Sequence, residues 1–188
     1  MREIQLSKGQ LTLVDDEDYE WLSQYKWYLR GRSNSYAVRD IYIGNGKDFH
    51  QSMHREIMQV TDPKIEVDHR NRNGLDNQRS NLRVATRIQN AQNVGPRKGN
   101  SSGYKGVGWD KSQRKWKAGI RSNGKSKYLG SYNDPVLAAK AYDRAARELF
   151  DPEFAYLNFP DDMGDRPRWR TSGGDPDLKP ARAVDQTG

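Results

Sequence analysis

The chain has 188 residues, a formal net charge of +7 and no cysteine, which excludes disulfides and thiolate metal sites. Only 34% of its residues are hydrophobic and the mean hydropathy is −1.10, so small modules are expected rather than one large core. Residues 1–6 lack an apolar signal region and no apolar run reaches the length of a membrane span, so a soluble intracellular protein is expected, its positive charge directed at nucleic acid.

Residues 1–60 predict a small α+β unit. Ile4 and Leu6 against Leu11, Leu13 and Val14 predict a hairpin turning at Ser7-Lys8-Gly9-Gln10. Asp15 or Asp16 is placed to cap a helix over roughly 17–26. Trp27-Tyr28-Leu29 and Tyr36-Ala37-Val38 read as strands around a polar turn at 32–35, with Ile41-Tyr42-Ile43 extending the second and Asn45-Gly46 turning again. Ser52 is expected to cap a short helix through Val60.

Residues 61–94 carry the chemistry. Ile65-Glu66-Val67 alternates as a strand and ends at Asp68-His69. Residues 70–80 hold one large apolar side chain, Leu75, and should loop outward before a second short strand at Leu82, Val84 and Ala85. Thr86-Arg87-Ile88-Gln89 is a capping box that opens a helix running to about Val94. An adjacent acid and imidazole, followed across a polar loop by an amide on a short helix, is the minimum kit for metal-assisted phosphodiester cleavage. The acid and amide oxygens hold a divalent cation, and the imidazole deprotonates water.

Residues 95–102 are a linker by composition. Within 103–160, strands are predicted near 104–109, 115–121 and 126–132, separated by turns at Ser112-Gln113 and Asn123-Gly124. Asp134-Pro135 starts a helix that places Leu137, Ala138, Ala141, Tyr142, Ala145 and Leu149 on one face. Residues 161–188 are rich in Asp, Gly, Pro and Arg and are expected to form a disordered tail. Between residues 96 and 131 ten basic side chains face Asp110 alone, with Tyr104, Trp109, Trp116 and Tyr128 interleaved. That excess favours a nucleic-acid face over a merely solvated one.

The segment Val67-Asp68-His69-Arg70-Asn71, Asp76-Asn77, Asn81-Leu82-Arg83-Val84-Ala85-Thr86-Arg87, Asn90 and Asn93 resembles the HNH endonuclease family, most closely its phage and intron homing-type branch. The resemblance implies two strands and a helix around one metal, the ββα-metal fold. It implies that Asp68 and Asn90 are metal ligands, that His69 is the general base and that Asn81 braces the loop between the strands. It also implies a phosphate contact for Arg87, three residues before Asn90. The commonest form of the family has histidine where Asn90 stands. An amide oxygen is a harder ligand, which shifts the expected cation to one Mg²⁺ or Mn²⁺. His50 and His54 lack a motif, and His54, beside Met53, is expected to pack or to meet DNA.

The blocks Tyr104-Lys105-Gly106-Val107, Trp116-Lys117-Ala118-Gly119-Ile120-Arg121, Tyr128-Leu129-Gly130-Ser131-Tyr132, Ala138-Ala139-Lys140-Ala141-Tyr142-Asp143 and Leu157-Asn158-Phe159-Pro160 resemble the AP2 DNA-binding domain over about 103–160. That family implies a three-stranded antiparallel sheet in the major groove with one helix packed behind it. Strand alternation then turns Trp116, Ala118 and Ile120 to the helix and Lys117, Gly119 and Arg121 to DNA. Tyr128 falls on the DNA side, where the family usually has tryptophan. Gly108 stands where plant members carry a base-reading arginine, and Gly119 replaces a usual glutamate, so no target sequence transfers. Lys105, Trp109, Lys111, Arg114, Lys117, Arg121 and Tyr128 are the expected contacts to double-stranded DNA, much of it to phosphate.

The expectation is an α+β chain. A small N-terminal unit supports an HNH core, and a linker leads to an AP2-like sheet and helix, then a tail. Its expected function is metal-dependent DNA cleavage directed by the second module, in a host cytoplasm if the chain is phage-encoded. The alternative is a non-catalytic DNA-binding protein with a degenerate nuclease segment, which the intact set Asp68, His69, Asn81 and Asn90 argues against. An RNA-processing nuclease is not favoured, for want of a stacking motif. Oligomeric state is not legible.

Overall fold

The computed structural model describes residues 1–31 and 35–161. The expected turn at 32–35 falls largely outside the described residues, as does the expected tail from residue 162. The chain divides into two compact units, Met1–Gly95 with Phe150–Tyr156, and Pro96–Leu149 with the chain from Leu157 onward. The block expected to run unbroken from 103 to 160 is therefore interrupted, because Phe150–Tyr156 packs with the first unit.

The first unit opens with the hairpin β1 (Arg2–Gln5) and β2 (Leu11–Val14), in antiparallel register from Arg2↔Val14 to Gln5↔Leu11. Its turn needs Gly9, which sits at φ +83° where a Cβ is strained. Helix α1 (Asp16–Leu22) follows, and its N-cap residue Asp15 makes no capping bond. The Asp15 carboxylate is instead committed to the loop before the second site strand, accepting from Gln78 Nε2 at 3.2 Å and from the Arg79 backbone N–H at 2.8 Å. The helix stops at Leu22, short of the expected residue 26. The indole N–H of Trp27, 1% exposed, donates to the Leu22 carbonyl at 2.8 Å, which also accepts from the Tyr25 N–H at 3.2 Å, so the end of the helix is satisfied by both side chain and main chain.

Strands β3 (Tyr28–Arg30), β4 (Tyr36–Tyr42) and β5 (Asp48–Ser52) form an antiparallel sheet in that order. The third strand was not expected, because Asp48-Phe49-His50-Gln51-Ser52 has one apolar residue and no alternation to read. Ser52 ends β5 and makes no cap bond, and α2 (Met53–Ile57) is shorter than its expected reach to Val60. Strands β6 (Glu66–His69) and β7 (Leu82–Ala85) pair from Glu66↔Ala85 to His69↔Leu82. Helix α3 (Arg87–Asn93) begins with the capping box read from the sequence: Thr86 Oγ1 accepts from Gln89 N at 3.2 Å and Gln89 Oε1 from Thr86 N at 2.9 Å.

One apolar cluster joins these pieces. Ile4, Leu6, Val14, Leu22, Trp27, Met53, Ile57, Val67 and Leu82 are buried together. Residues 1–60 are thus not an accessory beside the ββα element but most of its core, since two short strands and one short helix bury too little apolar surface alone.

The second unit is a sheet of order β10-β9-β8, built from β8 (Val107–Asp110), β9 (Lys115–Ser122) and β10 (Lys125–Tyr132), with α4 (Pro135–Leu149) against it. Val107, Ala118, Ala138 and Ala139 are buried together, with Trp116 packed onto them, and Ile120 is buried as well. Alanines let the helix backbone lie close to the strands. Gly106 lets it lie closer still, because a Cβ there would collide with the Tyr142 ring. Asp143, 2% exposed, accepts from the backbone N–H groups of Asn158 and Phe159, each at 2.8 Å, and so ties the 157–160 segment to α4. No helix among the described residues is long and apolar enough to cross a membrane.

Candidate active site and nucleic-acid interface

Alternation along β6 decides the geometry of the first site. Side chains at i and i+2 share a face, so Glu66 and Asp68 project to one side while Val67 and His69 project to the other. On the first side α3 supplies two amides one turn apart. Asn90 Nδ2 donates to Glu66 Oε2, and Asn93 Nδ2 donates to the Asp68 carboxylate at 3.0 Å and to the His69 carbonyl at 2.9 Å. The helix residue bonded to Asp68 is therefore Asn93, and Asn90 is bonded to Glu66.

Arg83, directly across the ladder from Asp68, completes this side. Its Nε and Nη2 donate to Asp68 Oδ2 at 2.8 and 2.6 Å, and both side chains are below 8% exposure. The guanidinium is roofed by the Phe154 ring, 3.8 Å from its centroid, and its Nη1 donates to the Glu153 carbonyl. A buried ion pair needs such saturation, because either charge left alone would carry a large desolvation cost. Tyr156 lies over Arg72 at 4.5 Å, and its backbone N–H donates to the Gln92 carbonyl at 3.2 Å. The returning segment Phe150–Tyr156 is thus a strap across the Asp68 side.

His69 faces the other side, 4% exposed. Its Nε2 meets Asn77 Oδ1 at 3.1 Å, and its ring lies 5.0 Å from that of His54 and 5.7 Å from that of Tyr36. Burial lowers its pKa from 6.5, and the Asn77 bond and the charges of Asp68 and Asp76 only partly offset that. Imidazole is therefore neutral at physiological pH, the form that can accept a proton. Asn81 spans the intervening loop: its Oδ1 accepts from the Asn71 N–H at 3.0 Å and its Nδ2 donates to the Asp76 carbonyl at 2.7 Å. Arg87 is exposed in the first turn of α3.

Among the described residues no cluster of three or more His, Asp or Glu side chains is arranged to hold a metal. The donors that remain are oxygens from an acid and an amide. Since Glu66 can only accept, the Asn90 nitrogen must face it, which turns Asn90 Oδ1 away as a donor. Asp68 Oδ1, which accepts from Asn93, and Asn90 Oδ1 are hard oxygen donors, the kind taken by a cation that keeps water or phosphate oxygens in its remaining positions.

On the second unit, cross-strand register sorts the expected DNA contacts. Gly108 pairs with Lys117, and Tyr128 with Gly119, so these residues and Arg121 share the face away from α4. Lys117 Nζ lies 5.3 Å from the Tyr128 ring centroid, and an open groove of about 570 Å³ is lined by Gly108, Trp109, Lys111, Lys117 and Gly119 among others. Arg114, at φ +52°, is exposed in the β8–β9 turn. Trp109 is the direct partner of Trp116, their rings 5.0 Å apart, and is itself exposed while lining that groove. Lys105 is half-buried, with its ammonium 6.0 Å from the Tyr142 ring of α4.

Sequence reading quoted Asn77, Arg83 and Asn93 in the motif without a role for any of them. Asn93 was accessible in principle, lying three residues past Asn90 on the same helix face. The strap had no local signal, because Asp151 to Tyr156 resembles an ordinary tail of the preceding helix.

The AP2 domain family matches residues 102–151. Over 153 residues the chain is 36% identical to L560, an uncharacterized HNH endonuclease of Acanthamoeba polyphaga mimivirus, across 80% of this chain and 76% of that one. Protein 3.8 of Escherichia phage T7 is 34% identical over 83 residues, 44% of this chain and 68% of its own length. Dehydration-responsive element-binding protein 2D of Arabidopsis thaliana is 41% identical over 71 residues, 37% of this chain and 34% of its own. No solved structure matches. The long alignment to the mimivirus protein spans both units, and with it the chain belongs to the HNH endonuclease family and carries an AP2 domain.

Proposed function

We propose that the protein is a metal-dependent endonuclease that hydrolyses phosphodiester bonds in double-stranded DNA inside the cell, with its AP2 domain supplying the grip on the duplex. The observation that carries this reading is the delivery of Asp68 and His69 from adjacent positions to two sides of β6, each held by its own set of partners. Asp68 and Asn90 would hold one Mg²⁺ or Mn²⁺ through carboxylate and amide oxygens, the amide choice disfavouring softer ions. When bound, the cation supplies Lewis-acid stabilisation of charge on the phosphate.

The chain's own residues do the rest. Neutral His69 takes a proton from a water as that water attacks phosphorus, and the bond to the 3′ oxygen breaks. That oxygen leaves with the electron pair and takes a proton from solvent to give a 3′-hydroxyl and a 5′-phosphate, and His69 returns its proton to solvent. Asn81 fixes the loop that carries the catalytic face, and Arg87 offers an exposed guanidinium to a phosphate oxygen. Lys105, Trp109, Lys111, Arg114, Lys117, Arg121 and Tyr128 are the proposed DNA contacts of the second unit. The relation to the plant protein, whose name describes binding to a dehydration-responsive element, supports the choice of DNA as ligand.

The test is plasmid cleavage by the full chain with Mg²⁺ or Mn²⁺, with and without EDTA, beside His69→Ala. Nicking or linearisation is expected from the wild type. It should vanish with EDTA and fall on the order of 100-fold or more in the variant. If wild type and variant leave the plasmid equally intact while both retard DNA on a gel, the chain binds DNA without cutting it.

A further inference from the structure

The donor–acceptor sense of every bond around His69 can be fixed without seeing a hydrogen, and the anchor is a threonine from the first hairpin. Thr12 is fully buried in β2. Its Oγ1 lies 2.8 Å from the Leu75 carbonyl oxygen, which can only accept, so the single hydroxyl proton of Thr12 is spent there. Oγ1 also lies 2.8 Å from the Asn77 amide. With no proton left, it must accept in that contact, so the Asn77 nitrogen faces Thr12 and the Asn77 oxygen faces His69. Asn77 is 0% exposed, and an inverted amide would set oxygen against a proton-less hydroxyl and nitrogen against the ring. An amide oxygen 3.1 Å from His69 Nε2 requires a proton on Nε2. Nδ1 is then the bare nitrogen.

We infer that Thr12, acting through Asn77, is a positioning residue that locks His69 in the Nε2–H tautomer and leaves Nδ1 as its proton-accepting atom. The hairpin is held to the loop for this purpose at three further points. Leu13 N donates to the Leu75 carbonyl and Asn77 N to the Leu13 carbonyl, each at 2.8 Å, and Asp15 accepts from the Arg79 N–H. The kinetic half of the inference rests on the nuclease reading; the tautomer itself does not.

The experiment is ¹⁵N–¹H long-range correlation NMR on the uniformly labelled full chain, above the pH range in which imidazole titrates. The His69 ring is assigned by its absence in His69→Gln. The expected wild-type signature is a protonated Nε2 and an unprotonated Nδ1. Thr12→Val removes both the proton and the lone pair and should give a mixture of tautomers or the Nδ1–H form. It should lower kcat for plasmid nicking about tenfold or more while leaving KM for DNA near its wild-type value. Thr12→Ser should restore both readouts. A wild-type ring carrying its proton on Nδ1 overturns the inference whether or not any variant folds, as does Thr12→Val with an unchanged signature and rate. If the signature behaves as expected but no DNA is cut, the nuclease reading fails and the tautomer lock stands.

Discussion

At the residue scale, His54 carries an acid sensitivity into the first unit. It is 8% exposed, its Nδ1 has no hydrogen-bond partner, and its ring packs 5.1 Å from that of Tyr36 and 5.0 Å from that of His69. Burial, followed by the neighbouring His69 and Arg55, pushes its pKa down to about 3, against 6.5 in the unfolded chain. Below 6.5 the unfolded state therefore binds a proton that the folded state refuses. Stability is fully present above 6.5 and falls as pH drops toward 3, by at most about 1.4 kcal/mol per pH unit from this group. The shift of His69 acts in the same direction. His54→Phe keeps an aromatic ring in the cluster and should flatten the decline. Urea midpoints measured from neutral to acid pH read the slope, and an unchanged slope would show that His54 contributes nothing to it. From the sequence His54 was expected to pack or to meet DNA; its burial favours packing.

At the element scale, the strap and the exposed sheet face make separate predictions. Phe154 is 5% exposed and covers the Arg83 guanidinium, so Phe154→Ala should destabilise the first unit by about 3 kcal/mol. Amide exchange should rise in β6 and β7 and stay unchanged in β8 to β10; a rise confined to the AP2 sheet would remove the strap from the argument. On that sheet, Lys117 and Arg121 share the exposed face through strand alternation. Replacing both by alanine should reduce the slope of log K for DNA against log salt by about 2. An unchanged slope would mean that this face does not meet phosphate. Helix starts show how far local chemistry reaches. The Thr86 capping box was read correctly because its bonds lie within four residues, whereas Asp15 lost its capping bond to a loop more than sixty positions away.

At the scale of the whole molecule, the chain leaves the first unit after Gly95 and returns to it for Phe150–Tyr156. A cut at the apparent linker therefore does not yield a complete first unit. A protein ending at Gly95 should melt at a lower temperature than the first unit within the intact chain, because Arg83 loses both the Glu153 carbonyl and the Phe154 roof. Equal melting temperatures would show that the strap is dispensable. A deletion meant to test DNA targeting must for the same reason keep residues 150–156.

The sequence by itself determined the family, the two short site strands, the capped helix α3 and the three-strand-and-helix order of the second unit. Each of these rests on periodicity, turn residues or a motif within some thirty consecutive positions, where neighbours in sequence are neighbours in space. It also brought Asp68, His69, Asn81, Asn90 and Arg87 into view as residues. What only the tertiary structure decided is what each of them touches. Asn93 rather than Asn90 is bonded to Asp68, Arg83 neutralises that acid under a strap, and Thr12 and Asn77 orient His69. Those partners converge from positions as far apart as 12 and 154, and no local pattern can encode which distant donor a buried acceptor will find. Burial settles that choice, because a polar group removed from water is held only where its partner already waits.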